Sequence, residues 1–289
     1  KAAGMEDYRV TKQLAKGGQG STLIASEKSN GRVVVIKTVS CGSIREGNQA
    51  LQECKVLQSL KHPNVVEYFD FFLHQDGKKQ ELLVCTVMEY CKKGDLACYM
   101  NTVKIDKKRL EERLILRWSR HMLSALAYLH ENHIIHRDIK PLNVLLNEDG
   151  RVKLADFGLA SNLKKDKKAE QVGTPCYLAP EMLQNEDYGP PVDVWGVGCI
   201  LYEMLTLSFL WDRKGLLALH VLTRPVSTYD FPQDYSAGLR QLCVQLLNQE
   251  PASRPTPHAA AQRCNELGGG GAEPISPAHH SHQPQMDIR

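Results

Sequence analysis

The run His136-Arg137-Asp138-Ile139-Lys140-Pro141-Leu142-Asn143 is followed, a short way on, by Asp156-Phe157-Gly158. Asn143 to Leu146 and Arg151 to Leu154 flank Asn147-Glu148-Asp149-Gly150, which reads as a hairpin with an Asp-Gly turn. That hairpin returns the chain from Asn143 to Asp156, so two oxygen acceptors can meet at one Mg²⁺–phosphate cluster, the hard-oxygen environment Mg²⁺ takes. Asp138 then sits beside them, free to orient a hydroxyl. Both motifs in this order are far outside chance.

A second group lies upstream. Lys37 stands in the apolar, β-branched run Val33 to Val39, which has the length of a strand. Alternation puts Val33, Val35, Lys37 and Val39 on one face and Val34, Ile36 and Thr38 on the other. From its face Lys37 can reach a nucleotide held under the sheet, although a lone strand lysine more often reaches solvent. Glu53 shifts that balance. On a helix Glu53, Leu57 and Leu60 share one face, and a carboxylate on an apolar face needs a cationic partner. Earlier still, Leu14-Ala15-Lys16-Gly17-Gly18-Gln19-Gly20-Ser21-Thr22 has the glycines that let backbone N–H groups approach phosphate oxygens. By itself such a stretch is commonly just a turn, and it lacks the Gly-Lys-Ser/Thr ending of a Walker A loop.

The elements needed to hold these residues are legible in outline. The first ninety or so residues are β-rich. A helix is expected over about Asn48 to Leu60, ended by His62-Pro63-Asn64, then strands over Val65 to Phe72 and Leu82 to Tyr90 with a polar loop, His74 to Gln80, between them. From Gly94 helices dominate. Leu114, Trp118, Met122, Leu126 and Leu129 mark one face of a long amphipathic helix. Val192 to Leu205, interrupted by Asp193 and Glu203, is too short to span a bilayer and reads as a buried helix. The last helical material is expected around Leu239 to Leu247 and His258 to Glu266. Beyond Gly268 the Gly-, Pro-, Ser- and His-rich sequence reads as a disordered tail, with His279, His280 and His282 solvated rather than metal-bound. No internal repeat is found.

The 289 residues allow two lobes or one large domain at roughly 150 residues per domain. With 42% hydrophobic and 24% charged residues the chain is ordinary globular material, and a net charge of +3 is too small to argue a nucleic-acid or membrane partner. The nine cysteines are scattered without a Cys-x-x-Cys pair, so buried thiols in a reducing, cytoplasmic setting are expected rather than a zinc or redox motif. The polar start at Lys1 gives no expectation of a signal peptide.

Taken together, these motifs make the sequence resemble the eukaryotic protein kinases, from about Tyr8 to Glu266. The resemblance implies an α+β, bilobal fold: an extension at 1–7, a kinase domain at 8–265 with a β-rich lobe 8–90 and a helical lobe 91–265, and a tail at 266–289. It implies ATP and Mg²⁺ as cofactors and a protein substrate. Ala15, Gly17, Gly20, Thr22 and Val35 would line the nucleotide. Lys37, with Glu53 as its helix partner, would anchor the phosphates. Met88 would be the gatekeeper and Glu89, Tyr90 and Cys91 the adenine-binding hinge. Asp138 matches the catalytic aspartate, and Asn143 and Asp156 the metal ligands. Lys140 and Gly173-Thr174-Pro175 resemble the serine/threonine branch. Glu181 of Ala179-Pro180-Glu181 would pair with Arg254, and Asp193 would anchor the catalytic loop. Val87-Met88-Glu89-Tyr90-Cys91 and Val172-Gly173-Thr174-Pro175-Cys176-Tyr177 are most similar to the NIMA-related kinases, which also suggests cytoskeletal or ciliary association. The resemblance is silent on oligomeric state.

The pattern is departed from in places. Ala15 replaces the first glycine of the loop, Gln19 its aromatic tip, Thr22 the valine that covers adenine, and Val35 the alanine above it. Extra bulk in a close-packed slot typically costs about 1–3 kcal/mol, so an ATP-binding pseudokinase working as a scaffold is the alternative reading. Glu170 stands where the NIMA-related kinases have a phosphorylatable threonine. Either it mimics a phosphate by pairing with Arg137, or it is a solvated acid among Lys164, Lys165, Lys167 and Lys168.

Overall fold

Five antiparallel strands form the first sheet of the computed structural model, which describes residues 4–17, 20–77, 81–157, 161–162, 173–210 and 231–269, without the side chains of 16, 17, 52–54, 56, 161 and 162. They are β1 (Tyr8–Gly17), β2 (Gly20–Glu27), β3 (Val33–Cys41), β4 (Tyr68–Asp76) and β5 (Glu81–Glu89), in the order β1-β2-β3-β5-β4. Register sorts their side chains. Leu23 opposes Ile36, Ala25 opposes Val34, Ile36 opposes Val87 and Thr38 opposes Cys85, and this face closes a small apolar core with Tyr8 and Phe72. The other face carries Thr22 opposite Lys37, Lys37 opposite Thr86, and Val35 opposite both Ile24 and Met88. The alternation read from Val33 to Val39 therefore holds, and it leaves Lys37 on the face turned away from that core.

Helix α1 (Ile44–Ser59) begins where Ser43 accepts a hydrogen bond from the Glu46 N–H at 3.2 Å. It starts earlier than the apolar pattern suggests because the cap, rather than hydrophobic periodicity, sets its first turn. Two further expectations need correction. Val65 and Val66 belong to no strand of the sheet. Val65 instead bridges Leu154, and the Val66 N–H donates to the Leu154 carbonyl at 2.9 Å. Their apolar character reflects burial against the helical body. His74 to Asp76 is strand and not loop, because pairing of His74 with Leu83, Gln75 with Leu82 and Asp76 with Glu81 satisfies the backbone whatever the polarity of the side chains.

The helical body contains α2 (Leu96–Ile105), α3 (Glu112–Glu131), α4 (Pro180–Leu183), α5 (Pro191–Thr206), α6 (Ala237–Leu246) and α7 (Pro257–Leu267). Short ladders join β6 (Ile134–Ile135) to β9 (Ser161–Asn162) and β7 (Val144–Leu146) to β8 (Val152–Leu154). Helix α3 buries Trp118, Met122, Leu126 and Leu129 of the expected stripe, with Ile115 buried and Leu114 only half-buried at its start, while α5 is buried nearly all round. Among the described residues no helix is long and apolar enough to cross a membrane. Helix α7 runs to Leu267, two residues past the expected domain end, since Gly268 closes it with a backbone bond to the Cys264 carbonyl. The tail from 270 lies outside the described residues.

Five cysteines are buried (Cys85, Cys91, Cys199, Cys243 and Cys264), Cys41 and Cys176 are half-buried and Cys98 is exposed, all as free thiols. The Cys54 side chain lies outside the description.

Candidate active site

Asp138 lies in the loop after β6, at the centre of a polar cluster. Its Oδ2 accepts from Lys140 Nζ at 2.6 Å and from Asn143 Nδ2 at 3.0 Å. Its Oδ1 accepts from the Thr174 N–H at 3.1 Å and from Thr174 Oγ1 at 3.0 Å. Lys140 Nζ also donates to Thr174 Oγ1 at 2.7 Å, so lysine, threonine and aspartate close a ring. Burial pushes the Asp138 carboxyl up. The Lys140 hydrogen bond and charge, with the Thr174 and Asn143 donors, outweigh that and hold it below the usual aspartate value. The carboxylate is thus ionised at neutral pH.

The loop is held from below by Asp193. Its Oδ2 accepts from the His136 N–H at 2.9 Å and engages His130 Nε2 at 2.8 Å, while Oδ1 accepts from the Arg137 N–H at 2.9 Å. Those bonds sustain Arg137 in a left-handed conformation (φ 66°). Opposite, Gly173 (φ +114°) brings the Thr174 segment onto the loop. A Cβ there would lie 2.8 Å from the Arg137 carbonyl, so only glycine allows this approach.

Asp156 follows β8, itself left-handed at φ 63°. Its Oδ1 accepts from Lys37 Nζ at 2.6 Å, an ion pair that joins the sheet to the helical body. Lys37's observed partner is therefore Asp156; the side chain of Glu53, expected there, lies outside the described residues. Phe157, next in sequence, is buried edge-on to Tyr68 of β4 and tilted against His136, with ring centroids 5.9 and 4.9 Å apart. This aromatic column connects β4 to the loop that carries Asp138.

Above these groups the sheet supplies a roof. Ala15 opposes Thr22, which opposes Lys37, and Val35 and Met88 are cross-strand partners two residues along. Val35 packs against the larger core that also contains Met88. Gly17 opposes Gly20, and a Cβ on Gly20 would collide with the Thr38 carbonyl at 1.8 Å, so the turn needs glycine there for packing against β3. Gly18 and Gln19 lie outside the described residues, as do Lys164 to Glu170.

At the strand's end the Glu89 N–H donates to the Glu67 carbonyl at 2.9 Å, and the Glu89 side chain takes Lys153 Nζ at 2.7 Å. The Glu89 carboxylate is thus spent within the protein. Among the described residues the Cys91 N–H meets no backbone carbonyl, which leaves a donor of the kind an adenine edge requires. Tyr90 joins the two.

The expected Glu181–Arg254 pair is formed. Arg254 clamps Glu181 with bonds of 2.6 and 2.8 Å, both side chains almost fully buried, and further donates to the Asn248 and Pro191 carbonyls. The sequence reading did not single out Thr86, Lys153 or the edge-on Tyr68–Phe157 contact. Counting register outward from Lys37 would have found Thr86; nothing local in the sequence signals the other two.

The donor chemistry fits Mg²⁺ and a nucleotide. Asn143 spends its amide nitrogen on Asp138, leaving its carbonyl oxygen, and Asp156 keeps a second carboxylate oxygen beyond the one facing Lys37.

A β-roof over a helical body, with a lysine, two aspartates and an asparagine gathered between them, is the architecture of a protein kinase. The chain matches the protein kinase domain over residues 8–264 and belongs to that family. Among curated proteins it is similar to "Serine/threonine-protein kinase Nek6" of Oryza sativa subsp. japonica, 34% identical over 257 residues that cover 87% of this chain and 46% of that protein. It is also 34% identical over 257 residues to "Probable serine/threonine-protein kinase nek2" of Dictyostelium discoideum, covering 87% and 60%. With "Serine/threonine-protein kinase Nek1" of Mus musculus it shares 33% over 268 residues, covering 90% and 21%. The chain thus spans between 21% and 60% of the length of these relatives.

Proposed function

We propose that this chain transfers the γ-phosphate of ATP to serine or threonine hydroxyls of protein substrates. The observation that carries this reading is the Asp138 cluster: a mostly buried carboxylate kept ionised by Lys140, Thr174 and Asn143. An ionised Asp138 accepts the proton of the incoming hydroxyl. Lys140, already within reach of both Asp138 and Thr174, offsets the negative charge that develops on the moving phosphoryl group. Lys37 orients the phosphates, with Glu53 as the second carboxylate available to it. Asn143 and Asp156 hold Mg²⁺, which when bound supplies charge neutralisation at the phosphates. Ala15, Gly17, Gly20, Thr22, Val35 and Met88 enclose the nucleotide, and the backbone of Glu89 to Cys91 meets its base. The thiols and the small net charge suit a cytoplasmic enzyme acting on protein.

The test is phosphate transfer from radiolabelled ATP to a generic basic protein, with Asp138→Asn and Lys37→Met as controls. Loss of transfer in both variants, with their folds intact, is the expected result; full activity in either overturns the assignment. A second reading, a nucleotide-binding scaffold without transfer, draws on Thr22 and Val35 lying on the same sheet face as Lys37. ATP binding by wild type with no transfer to a peptide library would favour it.

A further inference from the structure

Arg113, Arg117 and Arg120 fall at i, i+4 and i+7 on α3, one stripe of the helix. The β7–β8 turn is latched against this stripe, because Trp118 Nε1 donates to the Gly150 carbonyl at 3.0 Å. Arg151 follows directly. A Cβ placed on Gly150 would lie 3.7 Å from Lys93 Nζ and 3.9 Å from Arg117 Nη2, so two cations approach one point from different elements. Acids in the neighbourhood are engaged or turned outward: Glu148 pairs with Lys92, Glu112 accepts from Ser236, and Asp149 is exposed at the tip. Among the described residues Arg117, Arg120 and Arg151 form no ion pair with a carboxylate, Lys93 feels Glu148 only through space, and the buried Nε of Arg117 has no acceptor.

The cations act on one another. Burial first, then the charges of Arg113, Arg120 and Arg151, push the Arg117 pKa down. Burial together with Arg120, Arg151 and Arg117 pushes His121 down to about 3, so this histidine stays neutral beside them. His62, the other titratable group there, is likewise pushed down by burial, then by Lys153 and Arg151. The mutual repulsion of Arg117, Arg120 and Arg151 is relieved by an anion with several acceptor oxygens.

We propose that Arg117, Arg120, Arg151 and Lys93, with Arg113 at the rim, form a docking site for a phosphorylated segment of a partner polypeptide. A phosphate monoester carries about −1.5 to −2 charge and three acceptor oxygens, enough to engage more than one guanidinium fork, where a single carboxylate engages one. A continuous polyanion fits worse, since Glu148 and Asp149 lie across its path on the same turn.

The test uses the full chain, immobilised, and two peptide pools: one with a fixed phosphoserine between randomised positions, the other with serine in its place. Enrichment of the phosphorylated pool, weakening as salt rises and at least about tenfold lower in Arg120→Gln/Arg151→Glu, is the expected result. Arg117→Lys, which keeps the charge, guards against misfolding as the cause and should retain part of the binding. Arg137→Ala should keep the enrichment, which separates this site from phosphate captured beside Asp138. Transfer to a short generic peptide should survive in Arg120→Gln/Arg151→Glu, so failure here is distinguishable from failure of the kinase reading. Equal capture of both pools, equal capture by wild type and variant, or binding only to poly-U RNA or phosphatidylserine vesicles would overturn the proposal.

Discussion

At Asp138 three neighbours decide the charge state of the carboxyl. Burial alone would raise its pKa; Lys140, Thr174 and Asn143 reverse the sign. Because the folded-state pKa is lowered, the associated stability is fully present above the ordinary carboxylate value and is lost as pH falls through the lowered one. Removing a donor lets burial regain the upper hand. In Thr174→Val the acid limb of the kcat/KM profile should therefore move to higher pH, and in Lys140→Ala it should move further, since charge and hydrogen bond go together. Lys140→Ala should also lower kcat, so the position of the limb, rather than the rate, is the readout; unmoved limbs in both variants would refute this account. Asp138, Lys140 and Thr174 were all visible in the sequence, because each sits in a compact motif. What the sequence could not supply is the closure of the ring, which depends on Gly173 bringing Thr174 across to the loop.

At the scale of elements, the Glu181–Arg254 pair joins α4 to the segment before α7. Both side chains are almost fully buried, and Arg254 also satisfies the Asn248, Pro191 and Gln249 carbonyls and lies over the Trp195 ring. Glu181→Gln leaves a buried guanidinium without its counter-charge, a change that typically costs about 3–5 kcal/mol. Chemical denaturation should show a loss of that order, and a loss under about 1 kcal/mol would mean that water reaches the site. The double replacement Glu181→Leu/Arg254→Met should lose less than the single, because neither charge is then stranded. The elements themselves were legible where periodicity dominates, as in α3 and α5. Their ends were not. α1 starts at a Ser43 cap, and β4 continues through His74 to Asp76 because backbone pairing is indifferent to side-chain polarity.

At the scale of the molecule, the division near residue 90 is a division of sequence more than of packing. The sheet keeps a small core of its own, while Leu60, Val65, Val66, Tyr68 and Met88 belong to the same cluster as the helical body. Asn64 stands at this junction. Its Nδ2 donates to the Val152 carbonyl at 2.8 Å, and its own carbonyl accepts from the Leu154 N–H at 2.8 Å, so one residue ties the α1–β4 connection to both ends of β8. Nearby, Tyr128 accepts from the Lys61 N–H and Lys153 holds Glu89. In a reading by local pattern His62-Pro63-Asn64 is only a helix stop; its role is set by a strand far away in the chain. Asn64→Ala removes the side-chain bond and leaves a buried carbonyl unsatisfied, worth about 1–3 kcal/mol. Because the lost bond spans the two regions, the damage should fall on their coupling. Amides of β4 and β5 should exchange hydrogen faster in the variant while those of α3 and α5 keep their wild-type protection. Uniform acceleration across both regions would instead mean that Asn64 stabilises the fold as a whole and that the sheet and the helical body unfold as one unit.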